Sequence, residues 1–173
     1  MSYSLEKIAA GMPAEALAAF EGKLRDRLTA GVKMLVFAMR ALEERFGPEA
    51  VEVARSGYLR RKAAEYRRRW QEGSGTRDRS LGSFCRHLEE ACVGTHEWSR
   101  VIDMDDAIGY RFTRCMWAEI FRSLDAPDIG RWICDSDEIV LKSFNDRLEL
   151  GLTKRLMDGD PYCDHLYTRR RER

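Results

Sequence analysis

Apolar side chains between positions 13 and 46 recur every three or four residues, the spacing that aligns them along one face of an α-helix. The resulting stripe consists of Leu17, Phe20, Leu24, Leu28, Val32, Leu35, Met39, Leu42 and Phe46. At about 1.5 Å per residue such a helix is longer than one side of a domain of this size. We therefore expect it either to break near Gly31 or to pack partly against a second copy of the chain, as in a homodimer.

Two further helices are predicted before residue 94. Pro48 suits the first turn of the second helix. Its apolar side contains Val51, Ala54, Tyr58, Tyr66 and Trp70. Residues 73–78 have the Gly- and Ser-rich composition of a loop and precede the third helix. That helix carries Leu81, Phe84, Cys85, Leu88 and Cys92 on one side. These three helices predict an N-terminal helical layer.

After residue 94 the pattern changes to that of strands. Short strands are predicted at 98–103 and 110–113. Leu148, Leu150 and Leu152 alternate with other residues, which predicts a strand with one buried face. A turn over 157–161 then leads into a strand at 163–168 and completes an antiparallel hairpin.

The predicted architecture is α+β in a single domain spanning residues 1–173. Helices predicted near 115–124 and 136–145 lie between the two strand pairs. The helical part covers about residues 1–94, and a basic tail at 169–173 is expected to fray. The C-terminal part is predicted to be an antiparallel sheet that carries two inserted helices.

Composition indicates a globular protein rather than a membrane-spanning or secreted one. Of 173 residues 44% are hydrophobic, yet no apolar run approaches the roughly 20 residues that span a bilayer. The first residues lack the basic and then apolar pattern of a signal peptide, so we expect a cytoplasmic protein. Five cysteines without an export signal predict free thiols that pack, bind a metal or react.

Charge is unevenly distributed along the chain. Residues 55–86 contain ten Lys and Arg against three Asp and Glu, whereas residues 87–168 contain nine against seventeen. The two segments should attract each other, so the favoured interpretation is a solvated basic helix face docked near an acidic segment. Nucleic-acid binding by the basic helix is a less favoured alternative.

Three short segments could carry chemistry. Thr113 is a suitable N-cap and would place Cys115 in the first turn of a helix, where backbone amides lower a thiol pKa. A core cysteine is the competing interpretation of Cys115. Asp135 and Glu138 have the spacing of a capping box.

The same helix entrance would let Cys134 and Asp137, three positions apart, face one cavity. Gly159 allows a positive φ in the turn before Asp160 and Cys163, so this turn is either a catalytic loop or an ordinary hairpin turn with an incidental cysteine. The histidines lack a zinc-type spacing, and no cofactor is predicted, although metal ligands can converge in space.

The order of these segments resembles the L-2-amino-thiazoline-4-carboxylic acid hydrolase family. The resemblance rests on the run RCMWAEIF at 114–121, on residues 124–129, on the CxxD pair at 134–137 and on GDxxC at 159–163, and it covers roughly residues 80–168. This chain departs from the pattern at His165, where an aromatic residue is expected, and so places a titratable group beside Cys163.

The resemblance implies hydrolytic opening of a five-membered ring at a carbon bonded to nitrogen and sulfur. It implies Cys163 or Cys115 as the nucleophile, and Asp160 and Asp137 as acids that handle protons or bind the amidine. Substrate binding is assigned to Cys134, Arg114, Arg111, Glu119 and His165, with Arg114 or Arg111 as the partner of a substrate carboxylate. The alternative is a non-catalytic family member that binds a small ligand or a partner protein in the same pocket.

Overall fold

The N-terminal layer contains three helices, as the apolar spacing predicts: α1 (Ala14–Phe46), α2 (Pro48–Glu72) and α3 (Leu81–Cys92). Helix α1 is continuous through Gly31, so a break there, the first of the two expected alternatives, is wrong. It ends at Gly47, whose φ of 83° suits glycine and whose N–H donates to the Glu43 carbonyl at 2.8 Å. Packing of α1 against a second copy stays a prediction.

The computed structural model describes residues 2–3, 13–72 and 78–170. Most of the predicted loop at 73–78, and Arg171 and Arg173 of the predicted tail, lie outside these residues. Within the described part no helix is both long enough and apolar enough to cross a bilayer.

Among the described residues, the strands form one antiparallel sheet of five strands in the order β1-β2-β3-β5-β4. They are β1 (Ser2–Tyr3), β2 (His96–Asp103), β3 (Ala107–Cys115), β4 (Leu148–Gly151) and β5 (Cys163–Arg169). The α+β class and the pairing of β4 with β5 are confirmed. Their connection is longer than a tight turn and contains a 3-10 helix, Leu156–Asp158.

Strand register decides which side chains of β5 face the helices. Phe112 of β3 pairs with Cys163, and Tyr110 pairs with His165. Because side chains alternate between the two faces of a strand, Cys163, His165 and Tyr167 share one face of β5. The helices cover this face of the sheet, since Tyr110, Phe112 and Tyr167 are all buried there.

Two helices connect β3 to β4, as predicted, but both begin elsewhere than the sequence suggests. Helix α4 (Met116–Ser123) has Cys115 as its N-cap residue, and Thr113 lies inside β3. Pairing of β3 with β2 continues to Cys115, opposite His96, so strand hydrogen bonds extend past the predicted cap.

Helix α5 (Pro127–Phe144) begins nine residues before the predicted start. Pro127 presets the helical φ in the first turn, and buried Ile129 and Trp132 extend the apolar face toward the N-terminus. The predicted capping box is therefore wrong. Asp135 lies inside the helix and accepts a 2.7 Å hydrogen bond from Arg55 of α2.

Buried residues form two clusters that meet along α5. One joins α3, the sheet and the C-terminal half of α5, and includes Phe84, Phe112, Leu141 and Tyr167. The other joins α1, α4 and the N-terminal half of α5. At the surface beside it, a bidentate ion pair connects Arg40 of α1 to Asp128 of α5, with N–O distances of 2.8 and 2.9 Å. A space enclosed by both clusters lies between them.

Substituting Gly130 tests the second cluster. A Cβ at this α5 position would lie 2.9 Å from Phe121 Cβ and 2.7 Å from Met157 Cε, and Met157 is fully buried. We expect Gly130→Ala to lower the free energy of unfolding by roughly 1–3 kcal/mol in chemical denaturation.

Gly22→Ala is the matched control, because nothing lies within 4 Å of its added Cβ in α1. This change should stabilise the protein by about 0.5–1 kcal/mol. Equal effects of the two substitutions would contradict the described packing of α5 on α4.

Candidate functional site

A cavity of about 1100 Å³ lies between the two clusters and is bounded by α1 to α5 and the inner face of the sheet. This volume is slightly above the usual range of about 300–1000 Å³ for small-molecule pockets. Much of its wall is aromatic, including Tyr58, Tyr66, Phe112, Trp117, Trp132 and Tyr167. Such a wall favours a flat or apolar ligand.

Four of the five thiols line this cavity, although they come from four different elements. Cys92 ends α3, Cys115 caps α4, Cys134 lies in α5 and Cys163 begins β5. Convergence of Cys115, Cys134 and Cys163 is the arrangement that the sequence motifs predict. Cys85 lies in the core and is not among the described lining residues.

Asp137 lines the same cavity, one helical turn after Cys134. Burial raises the pKa of this carboxyl group to about 7, and the positive charges of Lys62 and Arg155 only partly oppose the rise. In the described part of the chain its oxygens accept no hydrogen bond. Asp137 therefore exchanges a proton near neutral pH and is available to a ligand.

The Cys163 thiol has a backbone donor directed at its sulfur. The Leu156 N–H donates to Sγ at 3.2 Å. Burial raises the pKa of Cys163, while this N–H and the nearby charge of Arg155 act in the opposite direction. If Cys163 ionises, the Leu156 N–H is already positioned to donate a hydrogen bond to the thiolate.

The other cavity thiols are held more firmly in the protonated form. Burial raises the pKa of Cys115 to about 12, although the N–H groups of Ala118 and Trp117 oppose it without forming a side-chain cap hydrogen bond. Burial also raises the pKa values of Cys134 and Cys92. The lowered pKa expected from helix-end amides at Cys115 is therefore wrong, because desolvation is the larger effect.

His165 lines the cavity beside Cys163 but is uncharged at neutral pH. Burial lowers its pKa to about 4, and Nδ1 lies 2.9 Å from the Tyr167 hydroxyl. His96, across Phe112, is similar: burial lowers its pKa to about 4, and Nδ1 lies 2.9 Å from Thr95 Oγ1. The two imidazoles therefore offer neutral hydrogen-bonding groups.

Arg114 and Glu119 are not among the described lining residues. Arg114 Nε donates to Glu119 at 3.0 Å, and the guanidinium also pairs with Glu21 of α1. Glu119 pairs in addition with Arg25. This network attaches α1 to the sheet and α4, so both predicted binding residues are engaged in structural contacts.

Arg111 and Asp160 also lie away from the cavity wall. The Arg111 guanidinium is 4.5 Å from the centre of the Tyr162 ring. Asp160 accepts a 2.8 Å hydrogen bond from the Arg155 backbone N–H and so stabilises the connection before β5, where Gly159 has the predicted positive φ of 95°. The structure thus brings together Cys115, Cys134, Asp137, Cys163 and His165 of the predicted site.

Lys62, Arg155 and His96 are the relevant residues that sequence reasoning missed. Lys62 and His96 line the cavity, and Arg155 lies within electrostatic range of Asp137 and Cys163. Lys62 interrupts the apolar side of α2 one helical turn from Tyr58 and Tyr66, a signal that could have found it. Among the described side chains, no three His, Cys, Asp or Glu are grouped to hold a metal.

The family model for L-2-amino-thiazoline-4-carboxylic acid hydrolase matches residues 27–167. The chain belongs to this family. The match begins in α1, well before the predicted limit at residue 80, so the helical layer is part of the hydrolase-family unit.

Two other comparisons add no further family assignment. The comparison with curated proteins finds no match. Among solved structures, the crystal structure of the phenol-responsive sensory domain of the transcription activator PoxR with phenol has a TM-score of 0.47 and 15% identity. That similarity covers 82% of this chain and 74% of the sensory domain.

The protonation of Asp137 can be tested through stability. Its folded-state pKa of about 7 lies above the ordinary 3.8, so the unfolded chain ionises first and stability is lost as pH rises between those values. Asp137→Asn removes this loss. We expect the variant to gain stability relative to the parent between about pH 4 and 7 and to hold a constant advantage above that range.

The advantage above pH 7 should be on the order of 2 kcal/mol, since one pKa unit is worth about 1.4 kcal/mol and the half-buried Asp137 side chain keeps part of its solvation. Urea denaturation at several pH values measures it. Asp105→Asn, at an exposed turn position, controls for the loss of one carboxylate. A difference between Asp137→Asn and the parent that does not change with pH would contradict the raised pKa.

Proposed function

We propose that this family member hydrolyses a small heterocyclic, amidine-like acid inside the cavity, opening a C–S or C–N bond with Cys163 as nucleophile and Asp137 as the proton-transferring group. The observation that carries the proposal is that both groups line one cavity, with an amide donor on the Cys163 sulfur and an Asp137 pKa of about 7. A general acid or base works best when its pKa lies near the working pH.

The first half of the reaction would form a covalent bond between Cys163 and the ring carbon. Because its pKa is raised, the Cys163 thiol needs a base, and ionised Asp137 would accept its proton as Sγ attacks the amidine-like carbon. The bond from that carbon to the ring sulfur then breaks. Asp137 would return the proton to the departing sulfur, which leaves as a thiol.

The second half would release the product with water. Asp137, again ionised, would accept a proton from a water molecule while the oxygen of that water attacks the former ring carbon. The bond between this carbon and Cys163 Sγ would then break. Returning that proton to Cys163 restores both groups and leaves an N-carbamoyl product. The Leu156 N–H and the charge of Arg155 support each step in which Cys163 carries negative charge.

The cavity also favours a substrate with an apolar portion. One five-membered ring would fill only part of about 1100 Å³, and aromatic side chains border the remaining space. We therefore expect family substrates with an added apolar substituent to bind more tightly than the bare ring.

Single Cys→Ser variants test the assignment with L-2-amino-thiazoline-4-carboxylic acid as substrate. Cys163→Ser should lower kcat by about a thousandfold or more, because serine in this site lacks an ionisable thiol. Cys115→Ser and Cys134→Ser should keep turnover within about tenfold, since burial holds both of these thiols more firmly in the protonated form than Cys163. Product release by chromatography and the melting temperature are measured together.

Cys85→Ser is the matched control, because Cys85 is a buried thiol of α3 away from the cavity. It should lower the melting temperature while leaving kcat nearly unchanged. Full activity in all three cavity variants would contradict thiol catalysis.

A second candidate function is non-catalytic binding of a small ligand, and the raised pKa values of all four cavity thiols favour it. A pocket of neutral thiols and aromatic rings can hold a heterocycle without reacting. Isothermal titration would then show stoichiometric binding of the acid by the parent protein, and chromatography would show no new product after prolonged incubation.

A further inference from the structure

We infer that Lys62 binds the carboxylate of the substrate and so makes this cavity selective for acids. The inference rests on the proposed function and assigns the anion-binding role to a residue of α2 in place of Arg114 or Arg111. It starts from the charged side chains that reach the cavity.

Five charged residues line the cavity in the described part of the chain: Arg27, Lys62, Arg69, Glu90 and Asp137. Three of them, Arg27, Arg69 and Glu90, are exposed and lie at the rim. Lys62 and Asp137 are partly buried, and each contributes to the electrostatic environment of the other. The interior thus has one basic and one acidic side chain.

Two tyrosines of the same helix hold the Lys62 ammonium group. Nζ donates to the Tyr58 hydroxyl at 3.1 Å and lies 5.5 and 5.7 Å from the ring centres of Tyr58 and Tyr66. Cation-π contact and the hydrogen bond keep the ammonium charged inside the aromatic wall. Burial opposes the charged form, but these contacts and Asp137 outweigh it, so the pKa of Lys62 is raised.

An ammonium group has three N–H donors, and Tyr58 takes one of those on Lys62. The others are available because, among the described residues, Lys62 forms no ion pair. Asp137 is likewise without a hydrogen-bonding partner. A ligand with a carboxylate at one end and a protonatable amidine at the other complements both groups at once.

The predicted alternatives for this role are engaged elsewhere. Arg114 pairs with Glu21, Glu97 and Glu119, and Arg111 stacks on Tyr162 away from the cavity. Recruiting either residue would require breaking those contacts and crossing the sheet or α4. Lys62 needs no rearrangement.

The test compares two ligands on the whole chain by isothermal titration: L-2-amino-thiazoline-4-carboxylic acid and 2-amino-thiazoline, which lacks the carboxylate. Every protein titrated carries Cys163→Ser, so that the acid binds without turnover, and the parent protein of this test is Cys163→Ser alone. The parent protein should bind the acid about tenfold to a hundredfold more tightly, the value of a hydrogen bond to a charged group. Lys62→Met should abolish this preference while leaving the affinity for 2-amino-thiazoline within about threefold. Lys62 also influences the pKa of Asp137. Because both ligands carry the same amidine-like group, this influence is the same for both and cancels in the ratio of their affinities on each variant.

Lys62→Arg should restore part of the preference, and Arg69→Met, which removes a rim cation, should leave it unchanged. If Lys62→Met does not fold, the parent protein and Tyr58→Phe, which frees one Lys62 donor, still report whether the acid is preferred. Equal affinity of the parent for both ligands overturns the inference and leaves the proposed function standing. A preference lost in Arg69→Met but kept in Lys62→Met also overturns it.

Failure of the proposed function has a different signature. If the parent binds neither ligand, the substrate class is wrong and the inference falls with it. If the acid is preferred through Lys62 but the chain with Cys163 intact releases no product, the inference holds and the non-catalytic candidate replaces the hydrolase.

Discussion

The site depends on a carboxyl group enclosed by apolar walls without a hydrogen-bonding partner in the described protein. An acid in such a place is costly to ionise, which is why the pKa of Asp137 rises to about 7. The same desolvation keeps the surrounding thiols protonated and the two histidines neutral. Neutral thiols and imidazoles therefore share one cavity with Asp137, which among these groups is the one whose proton exchanges near neutral pH.

The fold creates this enclosure by joining elements that are distant along the chain. Helix α5 presents Cys134 and Asp137 one turn apart, and β5 presents Cys163 and His165 two residues apart. These spacings match the periods of a helix and a strand, so each pair faces the cavity. Ion pairs on the outside, such as Arg40 with Asp128 and Arg55 with Asp135, attach the helical layer that closes the opposite wall.

Much of this arrangement could be predicted from local sequence pattern. The three N-terminal helices follow from apolar spacing, and the pairing of β4 with β5 follows from alternating leucines and the turn at Gly159. The CxxD spacing suggested that Cys134 and Asp137 share a cavity. Both residues line it, but they lie inside α5, because this helix begins earlier than predicted. The prediction that Cys115 lies in the first turn of a helix capped by Thr113 was wrong. Strand pairing of Cys115 with His96 extends β3 past Thr113.

The roles of charged residues could not be predicted in the same way. A motif shows that Arg114 and Glu119 lie near Cys115 along the chain, but only the packed structure shows that they pair with Glu21 and Arg25 of a helix about 90 residues earlier. Asp160 similarly serves the backbone of its own turn. Lys62 and Arg155 lie in segments without a chemical motif and approach Asp137 only through the tertiary fold.

Acid-quench mass spectrometry of a single turnover is the decisive test of Cys163 as the nucleophile. Ring opening by a thiol leaves both parts of the substrate attached, so we expect a transient adduct with the mass of the whole substrate on the peptide that contains Cys163. Asp137→Asn should slow its appearance. An adduct on Cys85, or product formed with no adduct on any cavity cysteine at any quench time, would rule out covalent catalysis by Cys163.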